Sequence, residues 1–225
     1  MIIDVRTYTH KPSKYREFLK IYAETGYPIT AKFLGVNIGL FTASSETANQ
    51  TIQFFAYEDH DDRDRCRNNY LTSAAKQAFT NGDEGADGCI RIQHSTVIVP
   101  TSFSPLKDRN LDNPILKAPC GKRIIEHNTY TVKPGCMKKA LDVIEKKLYP
   151  AAQKKVPWTL GYFTTDTAEP AIWELRAYET RQQRMLTNAA LMEDAEYYAA
   201  YEELCQYLIG TNSKLMEAMP MSPIQ

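Results

Sequence analysis

The sequence predicts an α+β fold: two tandem ferredoxin-like (βαββαβ) repeats whose antiparallel sheets face each other in a pseudo-symmetric α/β barrel. Three observations predict it. First, Ile2-Ile3-Asp4-Val5-Arg6-Thr7-Tyr8-Thr9-His10-Lys11-Pro12 returns 122 residues later as Ile124-Ile125-Glu126-His127-Asn128-Thr129-Tyr130-Thr131-Val132-Lys133-Pro134. Pro28 and Gly39-Leu40-Phe41-Thr42 recur at the same offset, as Pro150 and Gly161-Tyr162-Phe163-Thr164. Ala56-Tyr57-Glu58 recurs at 121 and Ser104-Pro105 at 118, the drift expected when loops lose residues and regular elements do not. Second, each copy alternates two-residue and helical hydrophobic periods in the order βαββαβ. Third, a four-stranded sheet with both helices on one face leaves the other bare, and a tethered second copy covers it. The domains are then 1–105, a linker at 106–122, and 123–225.

The elements follow in chain order. Ile3, Val5 and Thr7 alternate with Asp4, Arg6 and Tyr8, which predicts a strand. Pro12-Ser13 opens a helix striped by Tyr15, Phe18, Leu19 and Tyr22 and closed at Gly26, after which Pro28 starts a further helical turn. Asn37 to Thr42 and Thr51 to Tyr57, joined by the loop Ser44 to Asn49, read as a hairpin. His60-Asp61-Asp62 places acids where a second helix begins, and this broken helical region runs to about Phe79. A Gly/Asp loop, Asn81 to Gly88, precedes a last strand from Ile90 to Val99. In the second copy the helices are striped by Met137, Leu141, Ile144 and Leu148, and by Tyr198, Tyr201, Cys205 and Leu208. Its closing strand lies near Ser213 to Met219. Pro114, Pro119 and Gly121 mark the linker.

With 43% hydrophobic and 24% charged residues, the composition is that of an ordinary globular protein. Lys+Arg and Asp+Glu both number 27 and no long basic run occurs, so no nucleic-acid partner is expected. The apolar stretches fall short of the roughly 20 residues of a membrane helix, so no membrane insertion is expected. Met1 leads straight into the first strand, so no targeting segment is expected within this numbering. The cysteines, Cys66, Cys89, Cys120, Cys136 and Cys205, are odd in number and scattered, which suits reduced thiols in a cytoplasmic setting. Further assembly into a homo-oligomer is expected.

Candidate site residues come from the paired strands. One face carries Asp4, Arg6 and Tyr8 with Gln53, Phe55 and Tyr57. Its repeat carries Glu126, Asn128 and Tyr130 with Glu174, Arg176 and Tyr178. The faces holding Val5, Ala56, Leu175 and Ala177 are expected to pack under the helices, which turns the polar–aromatic faces into the space between the sheets. Arginines there suit an anionic group, and phenols and carboxylates suit proton transfer. The competing reading makes Asp4–Arg6 and Glu174–Arg176 cross-strand ion pairs that close the barrel, with the tyrosines as core. His10 and His60 are expected at solvent-facing or capping positions, while His94 and His127 suit core or ligand. Arg63 returns as Arg184, which suggests a shared structural contact, and Tyr197, Tyr198, Tyr201 and Tyr207 suggest helix packing. No HExxH, GxGxxG, Walker or GxSxG motif is present, so no metal and no cofactor is predicted.

The opening Arg6-Thr7-Tyr8-Thr9-x-x-Pro12, the Gly39-to-Thr42 segment, and Ala56-Tyr57 followed by the Asp/Arg-rich His60-to-Arg67 stretch resemble the NIPSNAP family, and both repeats carry versions of them. The resemblance implies the dimeric α/β-barrel arrangement. It leaves the activity undefined, because sister families of the barrel include cofactor-free oxygenases, haem-binding enzymes and small-molecule isomerases or lyases. Two functions stay open. One is binding of a small organic molecule, anionic or neutral, in the inter-sheet pocket, with or without cofactor-independent acid/base chemistry. The other is a non-enzymatic scaffold or interaction protein with a filled barrel.

Overall fold

The structure is a computed structural model that describes residues 1–45, 47–80, 85–116 and 123–224. The first repeat runs β1 (Ile2–His10), α1 (Tyr15–Ile21), a π turn (Tyr22–Gly26), α2 (Tyr27–Phe33), β2 (Val36–Ala43), β3 (Gln50–Tyr57), α3 (His60–Leu71), α4 (Ala74–Thr80), α5 (Ala86–Cys89) and β4 (Ile90–Pro100). The second runs β5 (Ile124–Val132), α6 (Met137–Val143), a π turn (Ile144–Leu148), α7 (Tyr149–Gln153), β6 (Trp158–Thr165), β7 (Ala171–Tyr178), α8 (Arg181–Glu193), α9 (Ala195–Cys205) and β8 (Leu208–Ala218). Both π turns lie just ahead of a proline, Pro28 or Pro150, whose missing N–H removes a regular helical bond there. Gly26 therefore does not end the first helix as expected. Its lack of a side chain lets the Phe79 ring approach, since a Cβ there would lie 2.5 Å from that ring.

Among the described residues eight strands close into one barrel in the order β1-β3-β2-β8-β5-β7-β6-β4. Two short seams join the repeats, Phe41–Ala43 against Met216–Ala218 and Ile98–Pro100 against Phe163–Thr165. Equivalent register shifts occur in both halves, between Asn37 and Gly39 and between Thr159 and Gly161. Each shift is followed by an N–H that is satisfied from the other repeat. Leu40 donates to Ser222 Oγ at 2.9 Å, and Tyr162 to Ser104 Oγ at 3.1 Å. Two residues beyond each serine, Leu106 and Ile224 enter the barrel core. The echoed Ser-Pro pairs are thus a reciprocal clasp.

The barrel interior is filled by side chains of both repeats, among them Ile3, Val5, Phe54, Ala56, Ile125, Leu175, Ala177 and Met216. This overturns the expected facing of the strands. An eight-stranded barrel has a lumen only wide enough for side chains to fill, and aliphatic residues fill it at no cost in buried charge. Asp4, Arg6, Tyr8, Gln53, Phe55 and Tyr57 instead lie under α1–α4, and Glu126, Asn128, Tyr130, Glu174, Arg176 and Tyr178 under α6–α9. There the helices can supply partners. Two further expectations change. The inward stripe of α9 is Tyr197, Ala200 and Leu204, with Tyr198 and Cys205 exposed. The closing strand begins earlier, at Leu208. Glu46, the Asn81–Glu84 part of the expected loop, and Pro119, Cys120 and Gly121 of the linker lie outside the described residues.

Candidate functional site

In the first repeat the hub is Asp4, whose side chain has no solvent exposure. It accepts from Arg63 Nε of α3 at 2.9 Å and from Ser95 Oγ of β4 at 2.5 Å, with Arg6 Nε and Arg67 Nη1 each at 3.4 Å. Asp4 and Arg6 sit two residues apart on one strand face, so their pair is not the cross-strand bridge expected. Asp59 caps α3 by accepting from the Asp62 N–H, and Asp62 returns the bond to the Glu58 N–H. That double cap fixes the turn from which Arg63 and Arg67 project one helical turn apart.

Above this hub opens a cleft of about 200 Å³ between sheet and helices. Arg6, Tyr8, Gln53 and Gln93 form its floor, and Arg67, Tyr70, Lys76 and the rings of Phe18, Tyr22 and Phe79 its walls. Arg6 Nη1 donates to Tyr8 Oη at 3.2 Å. Burial works against the Arg6 charge, but Tyr8 and Asp4 outweigh it and hold the guanidinium protonated. Burial raises the Tyr8 phenol above its ordinary value and pushes Tyr70 to about 12, so both keep their protons at neutral pH. Gln53 is 97% buried, as its 3% exposure shows, and lines the cleft together with Tyr70. The cluster holds four cations, Arg6, Arg63, Arg67 and Lys76, against Asp4 and Asp87.

The second repeat has the same plan but is closed upon itself. Glu126 takes the place of Asp4 and accepts from Arg184 Nε at 2.6 Å, Ser213 Oγ at 3.3 Å and Tyr178 Oη at 3.1 Å. Glu174, in the place of Gln53, is fully buried and accepts from Tyr130 Oη at 2.7 Å, Tyr162 Oη at 2.5 Å and Asn128 Nδ2 at 3.2 Å, with Arg176 Nε at 2.8 Å. Burial alone would raise the Glu174 carboxyl; Arg176 and the two phenols outweigh it and keep it ionised. Arg176 also donates to Tyr197 Oη at 3.3 Å. A cleft of about 260 Å³ remains between Glu126, Arg184, Asn188, Tyr201 and Thr211, but its buried charges are already paired.

The structure therefore gathers the predicted residues into two clefts, one per repeat. Arg6, Tyr8 and Gln53 line the first; Asp4 lies beneath it, and Phe55 and Tyr57 pack beside it with Tyr70. Glu126, Asn128, Tyr130 and Arg176 line the second, with Glu174 and Tyr178 below. Lys76 and Tyr70 were not singled out by sequence, and Arg67 entered only as the end of the Asp/Arg-rich His60-to-Arg67 stretch. Arg63 and Arg184 bear out the shared contact, each holding the buried acid of its repeat. His10 is not exposed as expected: it is buried, bonded to Thr51 Oγ1 at 2.9 Å, and lowered by burial to about 4. His60 is exposed and pairs with Asp166 at 2.7 Å. Among the described residues no three His, Cys, Asp or Glu side chains gather as a metal site, and no helix is long and apolar enough to cross a membrane.

The NIPSNAP family profile matches residues 3–105 and again residues 125–223. The chain belongs to the NIPSNAP family. Among curated proteins none matches the sequence. Two solved NIPSNAP structures each cover about half of this chain. An uncharacterized NIPSNAP domain protein from Burkholderia xenovorans is 31% identical over 46% of this chain and 97% of its own, with a TM-score of 0.43. A NIPSNAP-like domain protein of the same organism is 28% identical over 48% of this chain and 90% of its own, with a TM-score of 0.44. An anthrone oxidase-like protein covers 97% of this chain and 91% of its own at 12% identity, with a TM-score of 0.62. That likeness extends over both repeats and shows the fold alone: the dimeric α/β barrel within one NIPSNAP chain.

Proposed function

We propose that this NIPSNAP chain binds a small organic anion in the sheet–helix cleft of its first repeat, while the second repeat is chiefly its structural partner. One observation carries the reading. At one strand position the second repeat places Glu174, whose carboxylate is held by Tyr130, Tyr162, Asn128 and Arg176, whereas the first places the neutral Gln53 on the floor of a cleft lined by Arg6, Arg67 and Lys76. The cleft is smaller than the roughly 300–1,000 Å³ of drug-sized sites, which favours a compact ligand. Asp4 does not line it and the lining carboxylate Asp87 is paired with Lys76, so the groups that face a ligand are chiefly donors: Arg6, Gln53 and the protonated phenols of Tyr8 and Tyr70. They suit binding and polarising a carbonyl or carboxylate better than abstracting a proton.

Calorimetric titration with a panel of small carboxylates, phosphates and sulfonates tests this. At least one is expected to bind, to lose about tenfold or more in affinity in Arg6→Gln with Arg67→Gln, and to be unaffected by Arg184→Gln in the second repeat. If no member of the panel binds, the alternative of a non-enzymatic scaffold stands, and the packed barrel interior already accords with it.

A further inference from the structure

The second repeat carries its own carboxylate at the position where the first has a neutral amide bordering a cleft. From this we infer that the ligand of the first cleft is a carboxylate with a compact apolar or aromatic body. The inference rests on the reading of that cleft as an anion site and names the anion.

Strand register makes the comparison quantitative. Gln53 stands opposite Arg6 on β1 and Leu40 on β2; Glu174 stands opposite Asn128 on β5 and Tyr162 on β6. Gln53 and Glu174 are therefore one position in two copies. Around Glu174 the second repeat arranges a phenol from each side, an amide and a guanidinium, all directed at two carboxylate oxygens. The first repeat retains the phenol, Tyr8, and replaces the amide by Arg6, a stronger donor to the same place. It has lost the anion, because Gln53 is neutral. It has also lost the phenol of Tyr162, which is Leu40 here, and the guanidinium of Arg176, which is Phe55 here. Two donors, Tyr8 and the Arg6 guanidinium whose Nε is held by Asp4 at 3.4 Å, stand without a carboxylate at the Gln53 position, next to a wall of Phe18, Tyr22 and Phe79. A carboxylate brought in by a ligand restores the pattern, with its planar head on Arg6, Tyr8 and Gln53 and its body against the rings. A guanidinium matches that planar head with two parallel bonds.

Benzoate, its neutral isostere benzamide, and phenyl phosphate distinguish the possibilities when titrated into the full chain, with thermal unfolding to confirm that each variant is folded. Benzoate is expected to bind about ten- to a hundredfold more tightly than benzamide. Gln53→Glu supplies the missing carboxylate internally and is expected to remove that advantage, while Gln53→Leu, which adds no charge, loses less. Undiminished benzoate binding by a folded Gln53→Glu protein overturns the inference. Phenyl phosphate binding more tightly than benzoate overturns the carboxylate assignment and leaves the anion site standing. Binding of none of the three, with the phosphates and sulfonates of the wider panel also inert, overturns both.

Discussion

Replacing Asp4 with Asn keeps the shape of the side chain and removes the negative charge at a hub of three guanidinium groups. The new amide also turns two donors toward donors. Breaking a buried ion pair from one side costs about 3–5 kcal/mol. The lower part of that range applies, because Arg63 and Arg67 retain 17% and 22% side-chain exposure and can lean to water, while Arg6 retains only 8%. About 3 kcal/mol corresponds to a fall of roughly 6–12 °C in melting temperature for a chain of this size. Glu126→Gln at the equivalent position leaves a single guanidinium, Arg184, with 26% exposure, and is expected to cost about 1–2 kcal/mol. Urea unfolding of both variants, followed by circular dichroism, measures the difference. Because the Asp4 carboxylate is fully buried, most of its cost should survive moderate salt. A cost for Asp4→Asn below about 1 kcal/mol, or one no larger than that of Glu126→Gln, would refute the hub.

Two further outcomes follow from groups outside the cleft. Burial lowers His10 from 6.5 to about 4, so the unfolded chain takes up the proton first as pH falls. The stability tied to neutral His10 is complete above about pH 6.5 and is lost between 6.5 and 4, with a size of ~3 kcal/mol. His10→Gln should flatten this part of the pH–stability curve, and an unchanged slope would show that His10 titrates normally. Ser104→Ala and Ser222→Ala each leave a buried N–H without its acceptor and should cost about 1–3 kcal/mol. They sit at different seams, so the double variant should be additive within about 0.5 kcal/mol; strong non-additivity in chemical denaturation would show one cooperative clasp instead.

The duplication was legible because strands and helices preserve length, and it extends to details that sequence alone does not name: both register shifts, both π turns and both serine acceptors repeat. The facing of the strands was not legible, and β3 shows why. Every residue from Gln50 to Tyr57 is buried, so both sides of the strand avoid water and polarity no longer separates core from solvent. What decides is whether a charge can find a partner. Only the helix side offers arginines to Asp4 and Glu126. The signal was present in the repeat itself, since Arg63/Arg184 and Ser95/Ser213 recur alongside Asp4/Glu126. Three polar positions repeated together indicate one shared cluster. The departures from symmetry Arg6 against Asn128 and Phe55 against Arg176 were legible too, but Gln53 against Glu174 gains its meaning only from the structure, where Glu174 is already paired. Lys76 and Tyr70 come from the helical region after Arg63, whose side chains differ in the second copy (Leu191 and Tyr197 stand there), which is why sequence comparison passed over them.

The most direct measurement is a crystal structure of the chain soaked with 4-bromobenzoate, with the bromine located by its anomalous signal. A bromine in the first repeat, between β1, β3 and the Phe18–Phe79 wall, with the carboxylate on Arg6, Tyr8 and Gln53, is the predicted result. Bromine in the second cleft with the first left empty would contradict the division of roles between the repeats, as would bromine within the barrel interior.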